Sequence, residues 1–234
     1  LTVKTVHSKN SEAGFSLVEL AIVLLVIGLI IGGILKGQEL LESARLKSLL
    51  TQVNEYRVAT SIFLEKYGAL PGDYDKAKEY IDDKLQNGNG DGKIDGPGLA
   101  SHGAGHEALS FWSHLAAAGL ISPPGENSSG GHATFGKGAP STRIGGGFTI
   151  VYGEFDSAKH WFVAGTENGD KGNGALLTPM QALSLDQKID SGNPLNGQFR
   201  VKEGAGAAPN SCITNRGLYN SKTKTAACVV YFML

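Results

Sequence analysis

From Phe15 to Leu35 the chain has no basic residue, no proline and a single acid, Glu19. No proline follows until Pro71, so nothing between Phe15 and Pro71 is obliged to break a helix. Cysteine is scarce, with only Cys212 and Cys228. Charge of either sign is scarce in excess: the net is -1, which gives no reason to expect nucleic-acid binding. There is no internal repeat. There is also no nucleophile elbow, and the Gly-rich stretches at 145–147 and 204–206 lack the spacing of a phosphate loop. His106-Glu107 lacks the second histidine that would complete a zinc-protease helix. These absences leave no catalytic signature, and the chain reads as a non-enzyme.

What is present is a long apolar run with one charge in it. Phe15 to Leu35 is 21 residues, enough to cross a bilayer as a helix rising about 1.5 Å per residue. A plain membrane anchor is the simplest reading of its length. A carboxylate there costs roughly 2.5 kcal/mol or more and calls for a partner. Cleavage after Gly14 would supply one, because Phe15 would then begin the chain with a positive amine four residues from Glu19. That pairing can form within one chain or with the chain beside it.

Gly14 followed by Phe15-Ser16-Leu17-Val18-Glu19 and a long apolar run resembles the prepilin signature of type IV pilins and type II secretion pseudopilins. The likeness covers about the first 55 residues, and the remainder resembles the family more loosely. It implies a peptidase that cuts after the glycine and methylates the new amine. It also implies polymerisation with like subunits, driven by an inner-membrane platform and an ATPase. The implied fold is α+β, a long N-terminal helix packed on a small antiparallel sheet with inserted short helices.

The leader, residues 1–14, is polar and carries Lys4, His7 and Lys9. A secretory signal would be cut after its apolar region; here the site precedes that region, so the apolar segment stays. Removing Lys4, Lys9 and Glu12 takes away a charge of +1 and leaves the mature chain near -2. Basic residues before the span favour a cytoplasmic N-terminus, which places the head in the periplasm or outside. Residues 15–35 form the membrane or filament-core helix and 36–67 its amphipathic continuation, with Leu46, Leu49, Leu50, Val53, Tyr56, Thr60, Phe63 and Tyr67 on one stripe. One helix from Ser16 to Tyr67 would be about 75 Å long. Gly28, Gly32 and Gly33 either permit close helix contacts or are simply tolerated.

Residues 68–234 form the head. With 33 glycines in 234 residues, roughly twice the usual share, it should be rich in loops. Gly68 and Pro71 stop the first helix. Short helices are expected over Tyr74–Leu85 and Glu107–Leu120, and a third after Thr178-Pro179, ending before Gly192. Strands are expected at Phe148–Tyr152, His160–Ala164, Gln198–Lys202 and Cys228–Met233, with loop over residues 122–147.

Asn87-Gly88-Asn89-Gly90-Asp91-Gly92-Lys93-Ile94-Asp95 resembles the first nine positions of a helix-loop-helix calcium loop. Asn87, Asn89, Asp91 and Asp95 would offer side-chain oxygens and Lys93 its carbonyl. Gly98 stands where a bidentate Glu is usual, so binding is expected to be weak unless Asp82, Asp83 or Glu107 contributes; a turn without an ion is the plainer alternative. In an exported chain Cys212 and Cys228 read as a disulfide worth roughly 3 kcal/mol, against the alternative of two buried thiols. His102, His106 and His114 read as surface histidines. The resulting expectation is a structural subunit of a pilus or secretion pseudopilus. A minor priming or tip subunit, or a membrane-anchored calcium-dependent module, stands as the rival.

Overall fold

The structure, a computed structural model, describes residues 16–100, 106–125, 132–156 and 158–234. Two compact units are divided between Ala44 and Arg45. Helix α1, Leu17–Tyr67, contributes to both. Its first part is long and apolar enough to cross a membrane, and none of that apolar window is buried inside the chain. It is helical straight through Gly28, Gly32 and Gly33, where an added Cβ would meet nothing within 4 Å. Gly68, at φ 71°, ends it with its N–H on the Leu64 carbonyl.

In the head unit α1 buries Leu46, Leu49, Val53, Tyr56, Ala59, Thr60 and Phe63. This is the expected stripe, with Leu50 and Tyr67 at its margin. It packs on an antiparallel sheet made of β3 (Gly147–Tyr152), β4 (His160–Asn168), β5 (Lys171–Gly174), β6 (Phe199–Glu203) and β7 (Cys228–Met233). The order is β3-β4-β7-β6, with β5 also on β4. Pairing places Ile150, Phe162, Phe232 and Phe199 in one row across four strands. Tyr56 meets that inner face, 5.4 Å from the Phe148 ring and 6.1 Å from Phe162. Helix α3 (Glu107–Ala117) adds Trp112, 5.0 Å from Tyr56. Helix α4 (Pro179–Ile189) starts from a capping box in which Thr178 and Gln181 bond each other's backbone N–H.

Two local expectations change, and one strand is additional. The helix expected over Tyr74–Leu85 is one turn, α2 (Ala77–Tyr80); the Asn87 side chain takes the Lys78 N–H at 2.8 Å and turns the chain back. Residues 122–147 include a two-residue parallel pair, β1 (Thr134–Phe135) with β2 (Gly138–Ala139). β5, Lys-Gly-Asn-Gly, has no strand-forming side chains. A Cβ on its Gly172 would stand 2.7 Å from Phe135 and Thr149, so close approach selects glycine over strand propensity.

Candidate functional site

The N-terminal segment comes first. Gly14 and Phe15 lie outside the described residues. Ser16 Oγ accepts the Glu19 N–H at 3.2 Å, and Glu19 Oε2 accepts the Ser16 N–H at 2.8 Å. With α1 beginning at Leu17, this reciprocal pair is a capping box. Ser-x-x-Glu ahead of an apolar run signals it in the sequence, yet attention to the charge alone passes over it. Glu19 therefore has a local partner, the Ser16 N–H, and a second carboxylate oxygen outside that bond.

The loop after α2 is organised by two buried acids from outside it. Asp73 accepts the N–H of Asp91 and of Gly92, both at 3.0 Å. Glu107, in the first turn of α3, accepts the N–H of Asn89 at 2.8 Å and of Asp95 at 3.1 Å. Within the loop Asn89 Oδ1 takes the Asp91 N–H and Asp91 Oδ1 takes the Lys93 N–H, both at 2.9 Å, the side-chain turns that Asn and Asp favour. Gly88 lies so close that a Cβ would stand 2.4 Å from the Asp73 Cα. Its glycine is a packing requirement, and Gly98 is likewise pressed on Thr149.

Among the described residues, Asp73, Asp91 and Glu107 bring carboxylate oxygens within 4.8 Å of one another. Of the two loop carboxylates expected as ligands, Asp91 belongs to this group and Asp95 does not. Asn87 faces Glu79 and the Lys78 N–H. Asn89 Oδ1 accepts the Asp91 N–H in a local turn. The Lys93 ammonium lies 3.9 Å from Asp91; the ligand expected from Lys93 is its carbonyl. Asp95 lines a cavity described below. Asp73, which nothing in the sequence pattern announces, and Glu107 join Asp91 in this group. Burial foremost raises the Glu107 carboxyl above its ordinary range; the Asp95 and Asn89 N–H groups oppose this, while the charges of Asp73 and Asp95 add to it. The oxygen chemistry suits a hard divalent cation.

Cys212 and Cys228 form a disulfide, with Cα atoms 5.1 Å apart. Glu203 accepts the backbone N–H of Cys212 and Ile213, tying the loop to the end of β6. His114 is no surface residue but fully buried. Its Nδ1 accepts the Gly72 N–H at 2.9 Å, which leaves Nε2 to donate to the Gln86 carbonyl at 2.8 Å. His106 is half-buried and His102 lies outside the described residues.

A family model for the prokaryotic N-terminal methylation motif matches residues 9–35. Among solved structures, the chain is similar to the major type IV pilin PilA1 from Clostridium difficile, at 14% identity and a TM-score of 0.41. The match covers 82% of this chain and 96% of that one. At that score the likeness adds nothing to the fold described above. No curated protein matches the chain. The motif match covers residues 9–35 alone; beyond it the chain continues as a long helix whose later part packs on an antiparallel sheet.

Proposed function

We propose that the chain is a filament subunit of a type IV pilus or a type II secretion pseudopilus. It is held in the inner membrane by residues 15–35, cut after Gly14 by a prepilin peptidase, and polymerised through α1. The observation that carries this reading is Glu19, the one ionisable side chain in the apolar run, at the methylation motif. Its Oε2 holds the Ser16 N–H. Its other oxygen then receives the Phe15 amine of an incoming chain and sets that chain's axial register. Apolar faces of α1 move from lipid into a bundle of like helices, and the heads form the outer surface in the periplasm or beyond the cell. A platform protein and an ATPase supply the force. Intact-mass measurement of the membrane-resident and sheared protein tests the processing: the mature chain should begin at methylated Phe15, and a retained leader contradicts the reading.

We also propose that the 87–95 loop takes calcium weakly through Asp73, Asp91 and Glu107. Three convergent carboxylates support it, and the cation would offset the desolvation that burial imposes on Glu107 and the repulsion from Asp73.

A further inference from the structure

The sheet face opposite α1 carries its own apolar cluster. Trp161, Val163, Val229 and Tyr231 are buried there, with Val151, Phe155 and Met233 packed around them. Register aligns Thr149, Val163 and Tyr231 across three strands. They floor a cavity of about 370 Å³, the size of a small-molecule site. Its walls are Ile94–Gly98, Tyr152, Glu154 and Lys171–Asn173.

One wall is fixed by strained backbone. Phe155 has φ 59° and ψ 36°, a left-handed conformation costly for an aromatic residue. Its ring holds it there, 5.1 Å from Trp161 and 4.9 Å from Tyr231, with the Lys202 ammonium 4.5 Å above it. Lys202 also pairs with Glu154. The turn that presents Tyr152 and Glu154 to the cavity is therefore clamped before any ligand arrives.

The polar lining is of both kinds. Among the described residues the Asp95 carboxylate has no ion pair within 4 Å, and the Tyr231 hydroxyl has no hydrogen-bond partner. Lys171 brings an ammonium. Asn173 has its amide oxygen on Asn168 at 2.9 Å, which leaves its NH₂ to donate. A wholly apolar ligand would strand these groups at a cost. An anion would meet Asp95 and Glu154, and a simple cation would meet Lys171. A neutral ring bearing several hydroxyls satisfies acceptors and donors together and lays its C–H face on Val151 and Tyr152. We infer that this cavity binds a neutral sugar residue, with Asp95 accepting from its hydroxyls and Lys171 and Asn173 donating to them. The inference is independent of polymerisation.

Saturation-transfer NMR on the detergent-solubilised full chain tests it, with empty micelles as the blank. The probes are methyl β-D-glucopyranoside, methyl β-D-galactopyranoside and methyl N-acetyl-β-D-glucosaminide. Transfer to the ring protons of at least one sugar is expected. Val151→Trp, which fills the cavity, should abolish it. Asp95→Asn, which also relieves repulsion on Glu107, should weaken binding about tenfold without lowering the melting temperature. Absence of transfer to all three sugars overturns the inference, as does unchanged binding in Asp95→Asn or in a folded Val151→Trp.

Discussion

Replacing Asp73 by Ala removes the acceptor of two loop N–H groups from a side chain only 3% exposed. Hydrogen bonds to a charged acceptor are worth roughly 1.5–3 kcal/mol each. Relief of a desolvated charge offsets part of their loss, so the net cost should be about 3 kcal/mol. For a head of about 190 residues, Arg45–Leu234, each kcal/mol shifts the midpoint by roughly 2–4 °C. The variant should therefore melt about 6–12 °C lower. Both tryptophans, Trp112 and Trp161, are buried in this unit, so their fluorescence in the detergent-solubilised full chain reports the head without signal from the apolar helix. Calcium gives the second arm. At a dissociation constant of roughly 10⁻⁴ M, 2 mM calcium stabilises by about 1.8 kcal/mol, or roughly 4–7 °C. Wild type should show that rise and Asp73→Ala should not. A variant melting within about 2 °C of wild type refutes the pinning of the loop. An absent or equal calcium shift leaves the two acids as the loop's only closure.

Cys212→Ser with Cys228→Ser opens a loop whose ends are 16 residues apart and should cost roughly 3 kcal/mol in a urea titration; Glu203 keeps its hold on the Cys212 backbone and limits the damage to that region. Acid dependence has a definite sign. Burial foremost raises both Glu107 and Asp186, so between their ordinary values, about 4, and the raised ones the folded head binds more protons than the unfolded chain. Their contribution to stability is present below the ordinary values and is lost as pH rises through the raised ones; Glu107→Gln should remove part of that fall in melting curves taken across pH 4–7.

Much of the head was legible because its elements follow strong local rules. The α1 stripe, the Thr178-Pro179 start of α4, and the strand Cys228–Met233 each stand where periodicity or capping chemistry puts them. The candidate site was only half legible. Asp91 lies in a recognisable Asn-Gly-Asp run, but Asp73 reaches that run from 18 residues away, and nothing local at Pro71-Gly72-Asp73 announces that contact. Asn87 fits a ligand by spacing, and in the fold its side chain accepts the Lys78 N–H; spacing alone does not say which backbone N–H a short amide will find first. β5 was hidden for the opposite reason: its glycines answer to neighbouring backbone and rings. His114 was misread because its burial comes from the Gly72 turn folding over α3, a long-range contact.

Glu19 has two roles to separate, the cap on Ser16 and the charge offered to a neighbouring Phe15. Glu19→Gln separates them, since glutamine at the third helical position still closes a capping box but carries no charge; Glu19→Ala loses both. The measurement is the ratio of subunit sheared from the cell surface or released outside to subunit in the membrane, for wild type and both variants. If the charge sets subunit register, Glu19→Gln falls well below wild type, toward Glu19→Ala, while membrane insertion and leader removal stay intact. A Glu19→Gln ratio equal to wild type would contradict the account and leave Glu19 as a helix cap on an ordinary anchor.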